Sequence, residues 1–294
     1  MELHDYGLAS DLEMMRQQAA ERRQVLRWLL AGAATLPLMS CGGGSDASST
    51  AAVSGAGTGT SGSTGSTGST GSSAVPAAVA CTVMPEETGG PYPADGTNTN
   101  GGSIINVLNQ SGVVRGDIRA SFNGATGVAA GVPLTIKLQL LNASGSCASL
   151  AGYAIYLWHC DRDGLYSLYS SGVTAQNYLR GVQETDSAGN LAFTTIFPGC
   201  YAGRMPHVHF EVYPSLAKAA SAANRIKTSQ FTFPMATLNE AYAASGYAAS
   251  VRNLAQISYA TDNVFADGTS LQMATVTGNA TDGYVVTLVI AVNG

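Results

Sequence analysis

The segment Gly199-Cys-Tyr-Ala-Gly-Arg-Met-Pro-His-Val-His-Phe210 sets Tyr201, Arg204, His207 and His209 within a span of nine residues. Side chains alternate between the two faces of a strand, so His207 and His209 point one way and Val208 the other. Two imidazoles on one face make half of a metal site, open to iron, copper, zinc or nickel. The phenol of Tyr201 narrows the choice. A phenolate is a hard, charge-donating ligand, and it suits a trivalent ion such as Fe(III) better than Zn(II).

A second tyrosine supports this. Tyr153-Ala-Ile-Tyr-Leu-Trp-His-Cys160 has the apolar, aromatic composition of a strand, and Asp161-Arg-Asp-Gly164 supplies a turn after it. Leu165-Tyr-Ser-Leu-Tyr169 reads as the returning strand, with Tyr166 beside the turn, where sites are usually built.

Six segments in order resemble one family. They are Pro85-Glu-Glu-Thr-Gly-Gly-Pro-Tyr-Pro93, Trp158-His-Cys-Asp-Arg-Asp-Gly-Leu-Tyr-Ser167, Leu179-Arg-Gly-Val-Gln183, Thr185-Asp-Ser-Ala-Gly189, Thr194-Thr-Ile-Phe-Pro-Gly199 and Arg204-Met-Pro-His-Val-His-Phe210. Together they resemble the intradiol ring-cleavage dioxygenases, the non-haem Fe(III) enzymes that include protocatechuate 3,4-dioxygenase and catechol 1,2-dioxygenase. The resemblance runs over residues 81–294 and is densest from 152 to 212.

It implies an iron held by Tyr166, Tyr201, His207 and His209, with Arg204 beside the reacting charge and Gln230, in Ser229-Gln-Phe-Thr-Phe-Pro234, near the substrate. A free tyrosine has a pKa near ~10 and is a poor ligand at neutral pH unless a metal's charge removes its proton. The family chemistry then implies that a catechol and O2 react to give a muconate-type diacid. The phenolate of Tyr201 takes up a catechol proton as general base, and Arg204 stabilises the developing negative charge. Only five residues separate Tyr201 from His207, a shorter connection than family members carry, and Ala202-Gly203 offers no aromatic wall. The shortening points to a more open pocket that admits bulkier catechols. Of the other histidines, His4 falls in a segment expected to be removed and His159 reads as a packed or hydrogen-bonded residue.

The elements that must position these residues start after the leader. Arg22-Arg23-Gln-Val-Leu26 is a twin-arginine pattern, Trp28 to Met39 is too short an apolar run to span a bilayer, and Leu38-Met-Ser-Cys41 resembles a bacterial lipobox. Residues 1–41 therefore read as a lipoprotein signal with lipid attached at Cys41. Residues 42–80, rich in Gly, Ser and Thr, read as a flexible tether, and residues 81–294 as the folded domain. The expected location is the bacterial cell envelope, periplasmic or on the outer surface, with the lipid as the only membrane contact. Removing residues 1–40 takes four basic and five acidic residues, leaving 10 against 14 and a net charge of −4. Nothing in that balance invites nucleic acid. With Cys41 lipidated, Cys81, Cys147, Cys160 and Cys200 remain, an even number in an oxidising compartment, and two disulfides are expected.

The domain reads as mainly all-β. Strands are expected at Leu134–Leu141, Tyr153–Cys160, Leu191–Thr195, Val208–Tyr213, Thr228–Phe233, Leu271–Thr277 and Tyr284–Val292. One helical segment is expected at Leu238–Ala255, broken at Gly246, and loop at 94–103. Short strands with Gly- and Asn-rich turns argue for a β-sandwich, which is also the fold the resemblance implies, and both monomer and homodimer are open. The leading function is ring cleavage by a lipid-anchored dioxygenase. A non-catalytic binding protein for phenolic or catechol compounds is the alternative. A copper or zinc hydrolase lacks a third histidine or a nearby acidic base.

Overall fold

The computed structural model describes residues 81–294; the expected signal with Cys41 and the tether lie outside the described residues. In chain order the elements are β1 (Asp95–Asn100), β2 (Ser103–Asn106), β3 (Pro133–Asn142), β4 (Ala148–Ser149), β5 (Ala154–Trp158), β6 (Arg180–Glu184), β7 (Asn190–Ile196), β8 (His207–Tyr213) and β9 (Lys227–Thr232). They continue with helices α1 (Met235–Ala241) and α2 (Ala248–Leu254), then β10 (Thr275–Asn279) and β11 (Gly283–Val292).

Two sheets face each other. One runs β6-β5-β8-β9, antiparallel throughout; the other runs β10-β11-β3, with β7 and β4 pairing successive parts of β3. Among the strand pairs of the described residues only the long β3–β11 pairing is parallel, from Tyr284↔Leu134 to Val292↔Asn142. The period-two pattern explains the layers. Leu134, Ile136, Leu138 and Leu140 of β3 meet Ile155 and Leu157 of β5 and Val208, Phe210 and Val212 of β8 in one core. Burying each of these large side chains is worth about 1.5–3 kcal/mol.

The alternate residues of the four-stranded sheet face away from that core. Tyr156, Trp158, Val182 and Tyr213 join a second cluster with Tyr166, Ala94 and Val107, and Tyr92 and Tyr201 pack against it. His207 and His209 lie on this outer face, and so do Arg180 and Gln230, which pair in register with Trp158 and His209. The sandwich core is therefore scaffold, and the chemistry sits outside it, beneath the 82–106 arm.

Several expectations are corrected. Leu165–Tyr169 is not a returning strand: Asp161 accepts from the Asp163 and Leu165 amides at 3.0 and 2.9 Å, and Leu168 sits at φ 73°, so the chain coils and β5 pairs with β6 instead. The expected loop at 94–103 contains β1 and the start of β2, an antiparallel hairpin with an irregular register. The strand expected at Leu271–Thr277 begins at Thr275, because the Gln272 and Met273 amides turn back onto the Thr269 carbonyl. The helical segment is two short helices, with Gly246 between them at φ 96°.

Cys81 and Cys147 are disulfide-bonded, with Cα atoms 5.5 Å apart, whereas Cys160 and Cys200 remain buried thiols, so the second expected bridge is absent. Their Sγ atoms each lie 3.5 Å from a backbone carbonyl, of Gly199 and Arg204 respectively. Among the described residues no helix is long and apolar enough to cross a membrane.

A buried acid at the far end of β8 gives the fold a pH dependence. Glu211 accepts from the Tyr213 hydroxyl at 2.5 Å and faces Arg225, which also pairs with Asp95 at 3.2 Å. Burial, with Asp95 adding to it, pushes the Glu211 carboxyl from 4.5 up to about 8. The folded state then holds a proton that the unfolded chain releases, so this group's contribution to stability falls as pH rises from about 4.5 to about 8 and levels off above. Glu211→Gln is expected to flatten that slope in denaturant midpoints measured across the interval; an unchanged slope would show that Glu211 does not cause it.

Candidate metal centre

Four side chains from three parts of the chain converge. The Oη atoms of Tyr166 and Tyr201 each lie 3.4 Å from His207 Nε2, and His209 Nε2 lies 3.0 Å from the same atom. Donors bonded to an ion at about 2.0–2.1 Å, with angles between right and tetrahedral, stand about 2.9–3.4 Å from one another. The three distances to His207 Nε2 match that spacing. His207, His209 and Tyr166 are buried, and Tyr201 is half-buried.

The orientation of the imidazoles is fixed from behind. His207 Nδ1 donates to the Met205 carbonyl at 2.6 Å, which leaves Nε2 with its lone pair toward the other donors. The His209 ring stacks on Trp158, with centroids 4.8 Å apart and planes at 4°. Its Nδ1 is buried and makes no hydrogen bond among the described residues. Burial, and for both rings the positive charge of Arg204, hold His207 and His209 well below the usual histidine range. They are neutral at pH 7, the state in which imidazole ligates.

Each tyrosine has its own support. The Asp161 turn starts the Tyr166 loop, and the Tyr166 amide donates to Ser170 Oγ at 3.0 Å. Buried Arg180 ties Ser167 to the arm, donating to Ser167 Oγ and carbonyl and to the Pro93 carbonyl at 3.0–3.1 Å. Beside Tyr201, the Cys200 amide donates to Ser250 Oγ at 2.9 Å and the Cys200 carbonyl accepts from Asn253 Nδ2 at 2.8 Å, so α2 grips the residue before the phenol. Gly164, at φ 83°, passes so close to Tyr201 that a Cβ there would lie 3.0 Å from the Tyr201 Cβ.

Arg204 is brought to the site, but in the company of partners. Its Nε donates to Asp262 Oδ2 at 3.0 Å and its Nη2 to Gln230 Oε1 at 2.7 Å, while Gln230 Nε2 donates to the Thr88 carbonyl at 2.8 Å. Gln230 thus takes its place beside Arg204. His159 faces elsewhere, held by the Cys160 carbonyl and Thr195 Oγ1, each at 2.7 Å. Asp262, Ser250 and Asn253 were not singled out from sequence and lie in segments whose composition carries no local signal; Arg180 stands in the 179–183 segment of the resemblance, with no role read for it. A groove of about 620 Å³ on the other sheet, among Lys137, Gln139, Leu271 and Val289, shares no residue with this site.

The donor chemistry fits a ferric ion. Among the described residues no group of three or more His, Cys, Asp or Glu that could hold a metal comes together, and the hydroxyl groups beside His207 are the phenols of Tyr166 and Tyr201.

Comparison with known proteins gives a family match and a shared fold. The Dioxygenase family model matches residues 115–234, which hold all four donors and Arg204. An intradiol ring-cleavage dioxygenase from Tetranychus urticae shares the fold, with a TM-score of 0.55 at 22% identity over 72% of this chain and 95% of that one. A second dioxygenase crystal structure gives 0.53 at 23% identity, with the same coverage. The dioxygenase domain of a carbohydrate-binding fusion protein from Streptomyces sp. SirexAA-E covers 72% of this chain and 99% of that domain at 22% identity, with a TM-score of 0.45. The match over residues 115–234 and the shared fold make this domain similar to the intradiol ring-cleavage dioxygenases.

Proposed function

We propose that the chain is a non-haem Fe(III) intradiol dioxygenase that opens catechol-type rings with O2 to muconate-type diacids. The observation that carries this reading is the convergence of Tyr166, Tyr201 and His209 on His207 Nε2 at 3.0–3.4 Å. Those four residues would hold the iron. Bound Fe(III) supplies Lewis acidity that draws electron density out of a catechol ring and leaves it open to O2.

The chain's own groups serve that chemistry in distinct ways. Tyr166, buried and tied down on both sides, is the fixed phenol. Tyr201 is half-buried, at the rim beside exposed Ala202 and Gly203, and is placed to take the catechol proton and return it. Arg204 brings a positive charge close to both histidines and steadies negative charge that develops on the substrate. The rim residues Ala202 and Gly203 carry at most a methyl group, which supports access by catechols with bulky substituents. Export and anchoring through lipid on Cys41 belong to the same proposal; the lipobox supports them, and mass analysis of the N-terminal peptide tests them.

The direct test is O2 uptake by the iron-loaded protein with a panel of catechols. One O2 consumed per ring lost, with a diacid product, is expected. A catechol that binds and is recovered unchanged would contradict catalysis and favour capture.

A further inference from the structure

Asp262 lies in the loop between α2 and β10, 58 residues from Arg204, and is fully buried. Its two carboxylate oxygens divide their work. Oδ1 accepts from the Val264 and Phe265 amides at 2.8 and 3.1 Å and so closes its own loop. Oδ2 accepts from Arg204 Nε at 3.0 Å and from the Met205 amide at 2.6 Å. Four donors fill the acceptor capacity of one carboxylate, and two of them belong to the segment that leads into His207 and His209.

The Met205 amide and carbonyl then act in series: the amide is held by Asp262, and the carbonyl holds His207 Nδ1. Arg204 continues the chain on the other side, through Gln230 to the Thr88 carbonyl of the arm. A buried guanidinium without a carboxylate would be costly, and a buried carboxylate without its cation equally so. Neither partner can be removed alone without leaving an uncompensated buried charge, which fixes the two groups to each other.

We propose, on the dioxygenase reading above, that Asp262 is a positioning residue that fixes both the Arg204 guanidinium beside the substrate and the backbone that orients His207. It touches neither metal nor substrate. Its effect passes through Arg204 and Met205.

The test uses the full-length iron-loaded protein and Asp262→Asn, which keeps the shape but turns one oxygen into a donor. Catechol affinity is titrated without O2 by visible absorption. In parallel, nitrogen–proton NMR of the iron-free proteins follows exchange of the Arg204 Nε proton. Asp262→Asn is expected to lose protection of that proton and to weaken catechol binding about 10- to 100-fold, the scale of one lost hydrogen bond to a charged group. Arg204→Lys, which keeps the charge but lacks the Nε donor, is expected to show the same weakening, and Asp262→Asn added to it should cost little more. The Arg204→Lys measurement stands even if Asp262→Asn fails to fold. Lost protection with wild-type catechol affinity, or wild-type affinity in Arg204→Lys, would overturn the positioning role. A wild-type protein that takes up no iron would instead overturn the dioxygenase reading on which the role depends.

Discussion

His209→Ala is expected to lower iron affinity by more than about 100-fold, since outer-shell partners alone cost 10- to 100-fold, and to abolish ring cleavage. His209 Nε2 stands 3.0 Å from His207 Nε2, so its loss removes a donor and opens a void against Trp158. The informative control is His159→Asn. His159 is equally buried, but both its ring nitrogens are engaged by the Cys160 carbonyl and Thr195 Oγ1. Its variant should lose stability yet retain iron. Metal analysis after dialysis against excess Fe(III) separates the two, and equal iron retention in both variants would remove His209 from the ligand set.

The second large effect is expected at a residue with no functional atom. A Cβ added at Gly199 would lie 2.7 Å from the Asp161 carbonyl oxygen and 2.6 Å from that of Arg162. Both obstacles are backbone, and the Gly199 amide donates to the same Asp161 carbonyl at 3.0 Å. Gly199→Ala must push the Tyr201 loop away from the Tyr166 loop, at a cost of about 3 kcal/mol. For a domain of this size that lowers Tm by about 10 °C. Thermal unfolding followed by circular dichroism measures it, and a variant that melts with the wild type would show that the two loops can separate freely.

The parts of this molecule that were legible in sequence are those with a short period. Strand alternation put His207 and His209 on one face and Val208 on the other, and β8 places them so. The apolar runs of β3, β5 and β11 likewise declared the sandwich. The Leu165–Tyr169 stretch was misread because its aromatic composition mimics a strand, whereas an aspartate turn and a left-handed Leu168 decide its path. Asp262 could not be found from spacing at all. Its link to Arg204 depends on a loop returning across β9, where the Thr232 and Ala274 amides bond to the Gln272 and Thr232 carbonyls. The thiols of Cys160 and Cys200 show the limit of counting: an even number of cysteines is compatible with one bridge and two buried thiols.

The ligand set is most directly tested by the visible spectrum of the purified, iron-reconstituted full-length protein, recorded with its metal content. A single iron per chain and a broad tyrosinate-to-Fe(III) charge-transfer band, lost or shifted in Tyr166→Phe and in Tyr201→Phe, are the predicted result. A colourless protein that retains no iron after reconstitution, or a band unmoved by either substitution, would contradict it.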